Sequence, residues 1–125
     1  MITGCVKTEF INLKINNHQL KVEVVNDLIA MAQGLSDRES LGENHGMLFV
    51  YEDAAVRSFW MKNMKFPLDI IWIRDNQVIE ISTNIPLLTN GQITQVTSKE
   101  AVDKVLEVNV GWAENHNIKI GDVVE

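Results

Sequence analysis

The sequence predicts a mainly β domain, at the margin of α+β: an antiparallel β-sandwich or partly open barrel with one or two short helices. Several short segments alternate apolar and polar residues at period two. Compact turns rich in Asn, Asp and Gly separate these segments, and only short stretches show helical periodicity. A chain of 125 residues is long enough for one domain with one hydrophobic core.

The chain opens with a predicted β-hairpin. Residues Phe10–Ile15 and Leu20–Val24 alternate between apolar and polar side chains. Asn16-Asn17-His18 lies between them, and asparagine tolerates the left-handed backbone that tight turns need. The two segments are therefore expected to pair as antiparallel neighbours.

A short helix is predicted next, from Asn26 to Gly34, with Asn26 as N-cap and Gly34 as the stop. Its apolar residues fall on one face: Leu28, Ile29, Met31 and Ala32. Ser36 and Glu39 then have the spacing of a capping box, in which each side chain accepts a backbone N–H. That spacing predicts a second helical turn, ending before the polar loop 42–46.

The middle of the chain contains four more predicted strands, each dense in aromatic and β-branched residues: Met47–Tyr51, Ser58–Lys62, Ile70–Arg74 and Val78–Ser82. Asp75-Asn76-Gln77 is expected to close a hairpin between the last two. Because Ile70-Ile71-Trp72-Ile73 is apolar on both faces, it predicts a central strand covered on both sides.

The last third predicts a long loop or edge segment over Ile85–Lys99, followed by a strand over Lys104–Val110. Glu107 lies in that strand, and its alternation with apolar neighbours favours a solvent-exposed side chain. Gly111–Asn117 is expected to form a turn of helix, and Ile120–Val124 a final short strand. We therefore predict a flexible tail over residues 1–7 and a single globular domain over residues 8–125.

Composition excludes several function classes. The net charge is −6, and no run of Lys or Arg supplies the positive face that a nucleic-acid-binding protein needs. No segment approaches the roughly 20 apolar residues of a membrane span. The one cysteine, Cys5, cannot form an intramolecular disulfide or a thiolate cluster. The sequence thus predicts no cofactor and no metal, and a small polar ligand or a protein as partner.

The N-terminus leaves two localisations open. As it stands, the sequence predicts a cytoplasmic protein. Ile2-Thr3-Gly4-Cys5, however, has the small-residue pattern that precedes a lipid-modified cysteine in bacterial lipoproteins. That signal also requires a basic segment and an apolar stretch of about 7–15 residues upstream. A truncated start would make the protein an exported lipoprotein anchored at Cys5.

Several motifs occur in an order that resembles a known family. They are Gly34-Leu35-Ser36-Asp37-Arg38, Gly46-Met47-Leu48-Phe49, Phe59-Trp60-Met61-Lys62-Asn63-Met64, Pro67-Leu68-Asp69-Ile70, Val105-Leu106-Glu107 and Gly121-Asp122. Together they resemble the prokaryotic family known as domain of unknown function 192, over roughly residues 20–125. The resemblance implies a compact β-rich domain without an established activity. Ser36 replaces a common Met of the family, and Met64 replaces a common Thr.

The candidate ligand-binding residues are Arg38, Trp60, Lys62, Asn63 and Asp69. Lys62 and Asn63 end one predicted strand, and Asp69 begins the next. Asp69 would either accept backbone N–H groups or pair with Lys62, which is the structural interpretation. Alternatively, Lys62 and Arg38 would donate to a small anion or polar ligand, with Asp69 as orienter or base.

The leading functional prediction is a non-catalytic accessory module that binds a small ligand or a protein. The alternative is a small enzyme that uses Asp69 and Lys62 for acid–base chemistry, or a hydrolase that pairs Asp69 with Glu107 or Asp122. Two minor alternatives are a Cu(I) site and carbohydrate stacking on Trp60 or Trp72, of which Trp72 fits core packing better. The soft side chains considered for copper are His45, Met47, Trp60, Met61 and Met64.

Overall fold

The structure, a computed structural model, describes residues 8–125 and confirms a mainly β fold with two short helices. The elements are, in chain order, β1 (Glu9–Ile15), β2 (His18–Val25), α1 (Leu28–Gln33), β3 (His45–Ala55), β4 (Ser58–Trp60), β5 (Leu68–Arg74), β6 (Gln77–Ile85), β7 (Leu88–Thr89), β8 (Gln92–Ile93), β9 (Gln95–Thr97), β10 (Val102–Asn109) and α2 (Trp112–Asn115). The predicted tail and Cys5 lie outside the described residues.

Six strands form one sheet in the order β1-β2-β3-β10-β5-β6, and the sheet does not close into a barrel. All its neighbours are antiparallel except β2 and β3, which are parallel. The sheet is therefore mixed and not purely antiparallel, because the connection through α1 is long enough to return the chain in the same direction. Two small antiparallel sheets, β4 with β9 and β7 with β8, complete the fold.

Both predicted hairpins are confirmed. Asn16 and Asn17 have φ values of 48° and 68° between β1 and β2. Asp75 and Asn76 have φ values of 52° and 59° between β5 and β6. Positive φ at both central residues matches the right-handed twist of the paired strands, and Asn and Asp adopt it at low cost.

The core lies on both faces of the sheet. One face packs against α2 and the C-terminal segment through the cluster of Leu13, Ile15, Leu20, Val22, Leu48, Ile71, Ile73, Val78, Leu106, Val108, Trp112, Ala113, Ile118 and Val124. The other packs beneath α1, β4 and β9 through Val25, Leu35, Met47, Phe49, Met61, Leu68, Ile70, Trp72, Ile85, Val102 and Val105. Because β5 contributes to both clusters, its prediction as a central strand is confirmed.

Helix α1 begins at Leu28, and its N-cap is Asp27, whose Oδ1 accepts from the Ala30 N–H at 2.9 Å. The predicted N-cap Asn26 was thus one residue early, whereas Gly34 is the C-cap as expected. Neither helix in the described part of the chain has the length and apolar character needed to cross a membrane.

The capping-box prediction after α1 was wrong, because Ser36–Glu39 does not form a helix. Asp37 has a φ of 67°, which a right-handed helix does not allow. Ser36 Oγ instead donates to the Lys62 carbonyl at 3.0 Å, and Glu39 pairs with Lys65 Nζ at 2.6 Å. Tertiary partners therefore replace the local cap.

Two expectations for the last third need correction. The segment Ile85–Lys99 is not a plain loop, since it contains β7, β8 and β9. The predicted strand Ile120–Val124 is reduced to two isolated bridges, from Val123 to Gln77 and from Val124 to Ile15. These bridges tie the C-terminus across the ends of two hairpins, so the sheet gains no further strand.

Gly46 in β3 pairs with Val108 of β10, and the neighbouring strand leaves little space for a side chain at this position. A Cβ at this position would be 2.9 Å from the Glu107 carbonyl oxygen and 3.1 Å from Leu106 Cδ1. We expect Gly46→Ala to lower the free energy of unfolding by roughly 1–3 kcal/mol, because the neighbouring strand must shift. Urea denaturation measures this change. Gly42→Ala is the matched control, since its Cβ meets only the His45 ring, and an equal loss in both variants would contradict the account.

Candidate functional site

Asp69 lies at the start of β5 and is fully buried, with 0% of its surface exposed. Its Oδ1 accepts from the Asn84 N–H at 2.9 Å, and its Oδ2 accepts from the N–H groups of Gly111 and Ala113 at 3.0 and 3.2 Å. Within residues 8–125 it has no hydrogen bond or ion pair with Lys62. The carboxylate thus connects the β6 end and the start of α2 to β5.

The other polar residues predicted to bind a ligand, Arg38, Lys62 and Asn63, each contact different parts of the protein. Arg38 donates to both carboxylate oxygens of Glu23 at 3.0 and 2.9 Å. The Asn63 carbonyl accepts from the Asp37 N–H at 2.8 Å, and Lys62 Nζ lies 5.0 Å from the centroid of the Trp60 ring. No hydrogen bond between described side chains joins these residues to Asp69, so the structure does not assemble the predicted acid–base pair.

A different group of residues surrounds a cavity of about 290 Å³ between α1 and the sheet. Its lining comes from α1 and the turn after it, from β3, β4 and β10, and from the loop after β4. The residues are Leu28, Met31, Ala32, Gln33, Gly34, Leu35, Ser36, Phe49, Tyr51, Ser58, Phe59, Trp60, Met64 and Glu107. Of the five candidate ligand-binding residues predicted from the sequence, Trp60 alone is among them, together with Glu107 and Met64 from the alternative hypotheses. We call this space the α1 pocket.

Glu107 supplies the carboxyl group of the α1 pocket. It lies in β10 between Met47 of β3 and Ile70 of β5. Only 6% of its surface is exposed, so the expectation of a solvent-exposed side chain was wrong. The physical reason is the position of β10, a central strand whose two faces are both covered. Val105, two residues earlier on the same face, is also buried.

The Glu107 carboxyl group has no hydrogen-bond or ion-pair partner among the described residues. Burial raises its pKa to about 8. A carboxyl in so apolar a place is more stable as the neutral acid, because the charged form would lose its hydration without compensation. At neutral pH the pocket therefore contains a protonated carboxyl that is free to donate or accept.

Tyr51 of β3 is the second available polar group of the α1 pocket. Burial raises the pKa of its hydroxyl, the positive charge of Arg57 opposes that shift, and the Glu107 carboxylate adds to it. The Arg57 guanidinium carbon lies 3.7 Å from the centroid of the Tyr51 ring. Glu107 and Tyr51 are thus close enough to interact electrostatically.

The remaining polar side chains of the pocket already have protein partners. Gln33 Nε2 donates to the Ser36 carbonyl at 2.9 Å, and Ser36 Oγ donates to that of Lys62. The Ser58 and Thr97 hydroxyls hydrogen-bond to each other at 2.7 Å. Recognition of a polar ligand group would therefore fall to Glu107 and the Tyr51 hydroxyl.

Aromatic rings form much of the remaining wall. Phe59 packs edge-on against Phe49 and Trp72, with ring centroids 4.9 and 5.8 Å apart. Trp60, on the same short strand, points the other way and is 58% exposed. The alternation along β4 thus packs Phe59 against the buried cluster and leaves Trp60 exposed, and both side chains line the pocket.

The soft-ligand residues considered for copper are divided among different environments. Met47 and Met61 are buried in the apolar cluster beneath α1, whereas Met64 lines the pocket. No group of three or more His, Cys, Asp or Glu side chains within residues 8–125 is arranged to hold a metal ion.

Comparison with known proteins gives the family. The model of domain of unknown function 192, described as "Uncharacterized ACR", matches residues 11–125. The chain belongs to this family. The resemblance seen in the ordered motifs is thereby confirmed, and the match extends further towards the N-terminus than those motifs. None of the curated proteins matches the chain significantly.

Two solved structures are similar to this member of the domain of unknown function 192 family. A protein of unknown function from Novosphingobium aromaticivorans DSM 12444 is 28% identical, with a TM-score of 0.86 over 100% of this chain and 91% of that one. The other, from Sinorhizobium meliloti 1021 and described as a "putative transcription regulator", is 30% identical, with a TM-score of 0.88 over 98% of this chain and 97% of that one.

Proposed function

We propose that this chain is a non-catalytic small-ligand-binding module whose ligand occupies the α1 pocket. The observation that supports this most strongly is the Glu107 carboxyl group: nine-tenths buried, unpartnered within the described chain and lining the cavity. In the described part of the chain, the side-chain atoms that are fully buried without a partner are Arg57 Nε and Asp103 Oδ1, so the Glu107 oxygens stay accessible from the cavity. A ligand in the pocket can therefore hydrogen-bond to Glu107.

The contacts of Asp69 also favour a binding module over the enzyme first considered. Its two oxygens already accept three backbone N–H groups, and Lys62 is not bonded to it. The regulator description belongs to the Sinorhizobium meliloti protein. In this chain the net charge of −6 argues against a direct role on nucleic acid.

A thermal-shift screen of metabolites and sugars tests the proposal. A ligand present at about one hundred times its Kd stabilises the folded state by about 2.7 kcal/mol. We expect at least one compound to stabilise the wild type but not Ala32→Phe, in which a ring from α1 fills the pocket. Ala54→Phe, at an exposed residue of β3 outside the lining, should respond like the wild type.

Two outcomes would contradict the pocket as the ligand site. In the first, no compound stabilises the wild type. In the second, every stabilising compound acts equally on Ala32→Phe, which would place binding elsewhere on the domain.

A second candidate function is acid–base catalysis by Glu107. The observation that favours it is the pKa of about 8, since an acid–base catalyst works best with a pKa near the operating pH. Mass spectrometry of each stabilising compound after incubation with the protein would detect conversion. Conversion that is lost in Glu107→Gln would favour the enzyme, and unchanged compounds would favour the binding module.

A further inference from the structure

We infer that the ligand of the α1 pocket is an organic cation: a primary ammonium group on a small apolar body, paired with the Glu107 carboxylate against aromatic rings. This inference rests on the proposed function and names the chemical class of its ligand.

The charges around the α1 pocket favour a cationic ligand. The lining contains one acidic side chain, Glu107, and no Lys, Arg or His. An anionic ligand would face this acidic group, whereas Arg57 and Lys62 lie outside the lining and are held against the Tyr51 and Trp60 rings. A neutral ligand would leave Glu107 as the neutral acid. An ammonium ion supplies the opposite charge that makes a buried carboxylate tolerable.

The aromatic rings of the α1 pocket also favour a cationic ligand. Four aromatic residues line the pocket: Phe49, Tyr51, Phe59 and Trp60. Two of them already hold a cationic side chain of the protein against one face, Arg57 on Tyr51 and Lys62 on Trp60. Both contacts are cation–π interactions, in which the negative face of an aromatic ring attracts a positive charge. Trp60 is exposed enough to be reached by a ligand.

The volume and apolar lining of the α1 pocket limit the size of the ligand. A volume of about 290 Å³ lies just below the range of pockets for drug-sized ligands. Met31, Ala32, Leu35 and Met64 provide apolar surface around it. A single ring or a short alkyl chain bearing one ammonium group suits these dimensions, with the charged end towards Glu107.

Binding of the ammonium ion displaces the Glu107 proton. The free protein holds Glu107 as the neutral acid at pH 7, because burial raises its pKa to about 8. The bound ammonium keeps its own three protons, and the carboxyl proton leaves to solvent as the ion pair forms. Of the surrounding elements, β3 contributes the Tyr51 hydroxyl, near which Arg57 lies. The lining residues of α1 and β4 are uncharged, and the β5 neighbour is Ile70.

Isothermal titration calorimetry at pH 7 with benzylammonium chloride tests the inference, using two buffers of different ionisation enthalpy. We expect release of about 0.9 proton per bound ligand, since the carboxyl is then one pH unit below its pKa. The apparent Kd should fall about tenfold per pH unit between pH 6 and pH 7. Benzyl alcohol and sodium benzoate serve as the neutral and anionic analogues, and both should bind at least tenfold more weakly.

Glu107→Gln should abolish the proton release and the pH dependence, whereas Glu100→Gln, at an exposed acidic residue, should retain both. Benzyl alcohol binding as tightly as benzylammonium, without proton release, would overturn the cation inference and leave the proposed function standing. Failure of all three compounds to bind at millimolar concentration would also overturn it. The proposed function falls only if the metabolite screen also gives no compound that Ala32→Phe blocks.

Discussion

Replacing Glu107 with Gln should remove a decline in stability that the wild type shows as the pH rises. In the folded chain the pKa of Glu107 is about 8, whereas in the unfolded chain it is near 4.5. Between these values the folded state binds more protons than the unfolded state. Its free energy of unfolding therefore falls with increasing pH, by up to about 1.4 kcal/mol per pH unit. The contribution is complete below the unfolded pKa and is lost as the pH passes the folded pKa.

Urea denaturation at half-unit intervals from pH 4 to pH 9 measures the effect. Other groups titrate in this range, so the informative quantity is the wild type minus Glu107→Gln. That difference in the free energy of unfolding should fall by several kcal/mol between pH 4.5 and pH 8.5. The variant thus gains stability relative to the wild type as the pH rises. Glu100→Gln provides the reference for loss of an exposed carboxylate. A flat difference curve for Glu107→Gln would contradict burial of an unpaired carboxyl.

Asp69→Asn should cause the other large effect. Both Asp69 oxygens accept backbone N–H groups, and an amide in their place turns its NH₂ towards at least one of those donors. Hydrogen bonds to a charged acceptor contribute about 1.5–3 kcal/mol each, so we expect a loss on the order of 3 kcal/mol in the free energy of unfolding. The melting temperature, measured by calorimetry, should fall accordingly.

Asp37→Asn is the matched control for this prediction. Asp37 is exposed, and asparagine tolerates its positive φ, so its substitution should be nearly neutral. Similar melting temperatures for the two variants would contradict a structural role for Asp69. If Asp69→Asn kept the stability of the wild type but lost ligand binding, that result would indicate a functional role for Asp69.

The sequence predicted the sheet well wherever local chemistry decides the structure. The Asn16-Asn17 and Asp75-Asn76 turns need only residues that tolerate positive φ, and the all-apolar run around Trp72 needs only two covered faces. The parallel pairing of β2 with β3 was missed, because it depends on how α1 folds back over the sheet. The capping box at Ser36 failed for a related reason: Lys62 and Lys65 are distant in sequence and became the partners.

The candidate site was harder to predict than the fold. A motif-based search favours the polar residues Lys62, Asn63 and Asp69, which the structure engages in separate contacts. The sequence predicts Glu107 only as a hydrolytic partner of Asp69, with a side chain that faces solvent. One signal could have corrected this: Val105 shares its face, and Leu106 and Val108 occupy the other, so both faces of the strand carry apolar residues. An acidic residue within such a strand indicates a buried carboxyl.

At neutral pH the Glu107 carboxyl is a neutral acid in the α1 pocket, and binding of the proposed cation ionises it. Carbon-13 NMR of that side-chain carboxyl, followed from pH 4 to pH 10 with and without benzylammonium, measures this most directly. We expect a titration midpoint near pH 8 in the free protein and a clear fall in that midpoint at saturating ligand. A midpoint near pH 4.5 in both samples would contradict it.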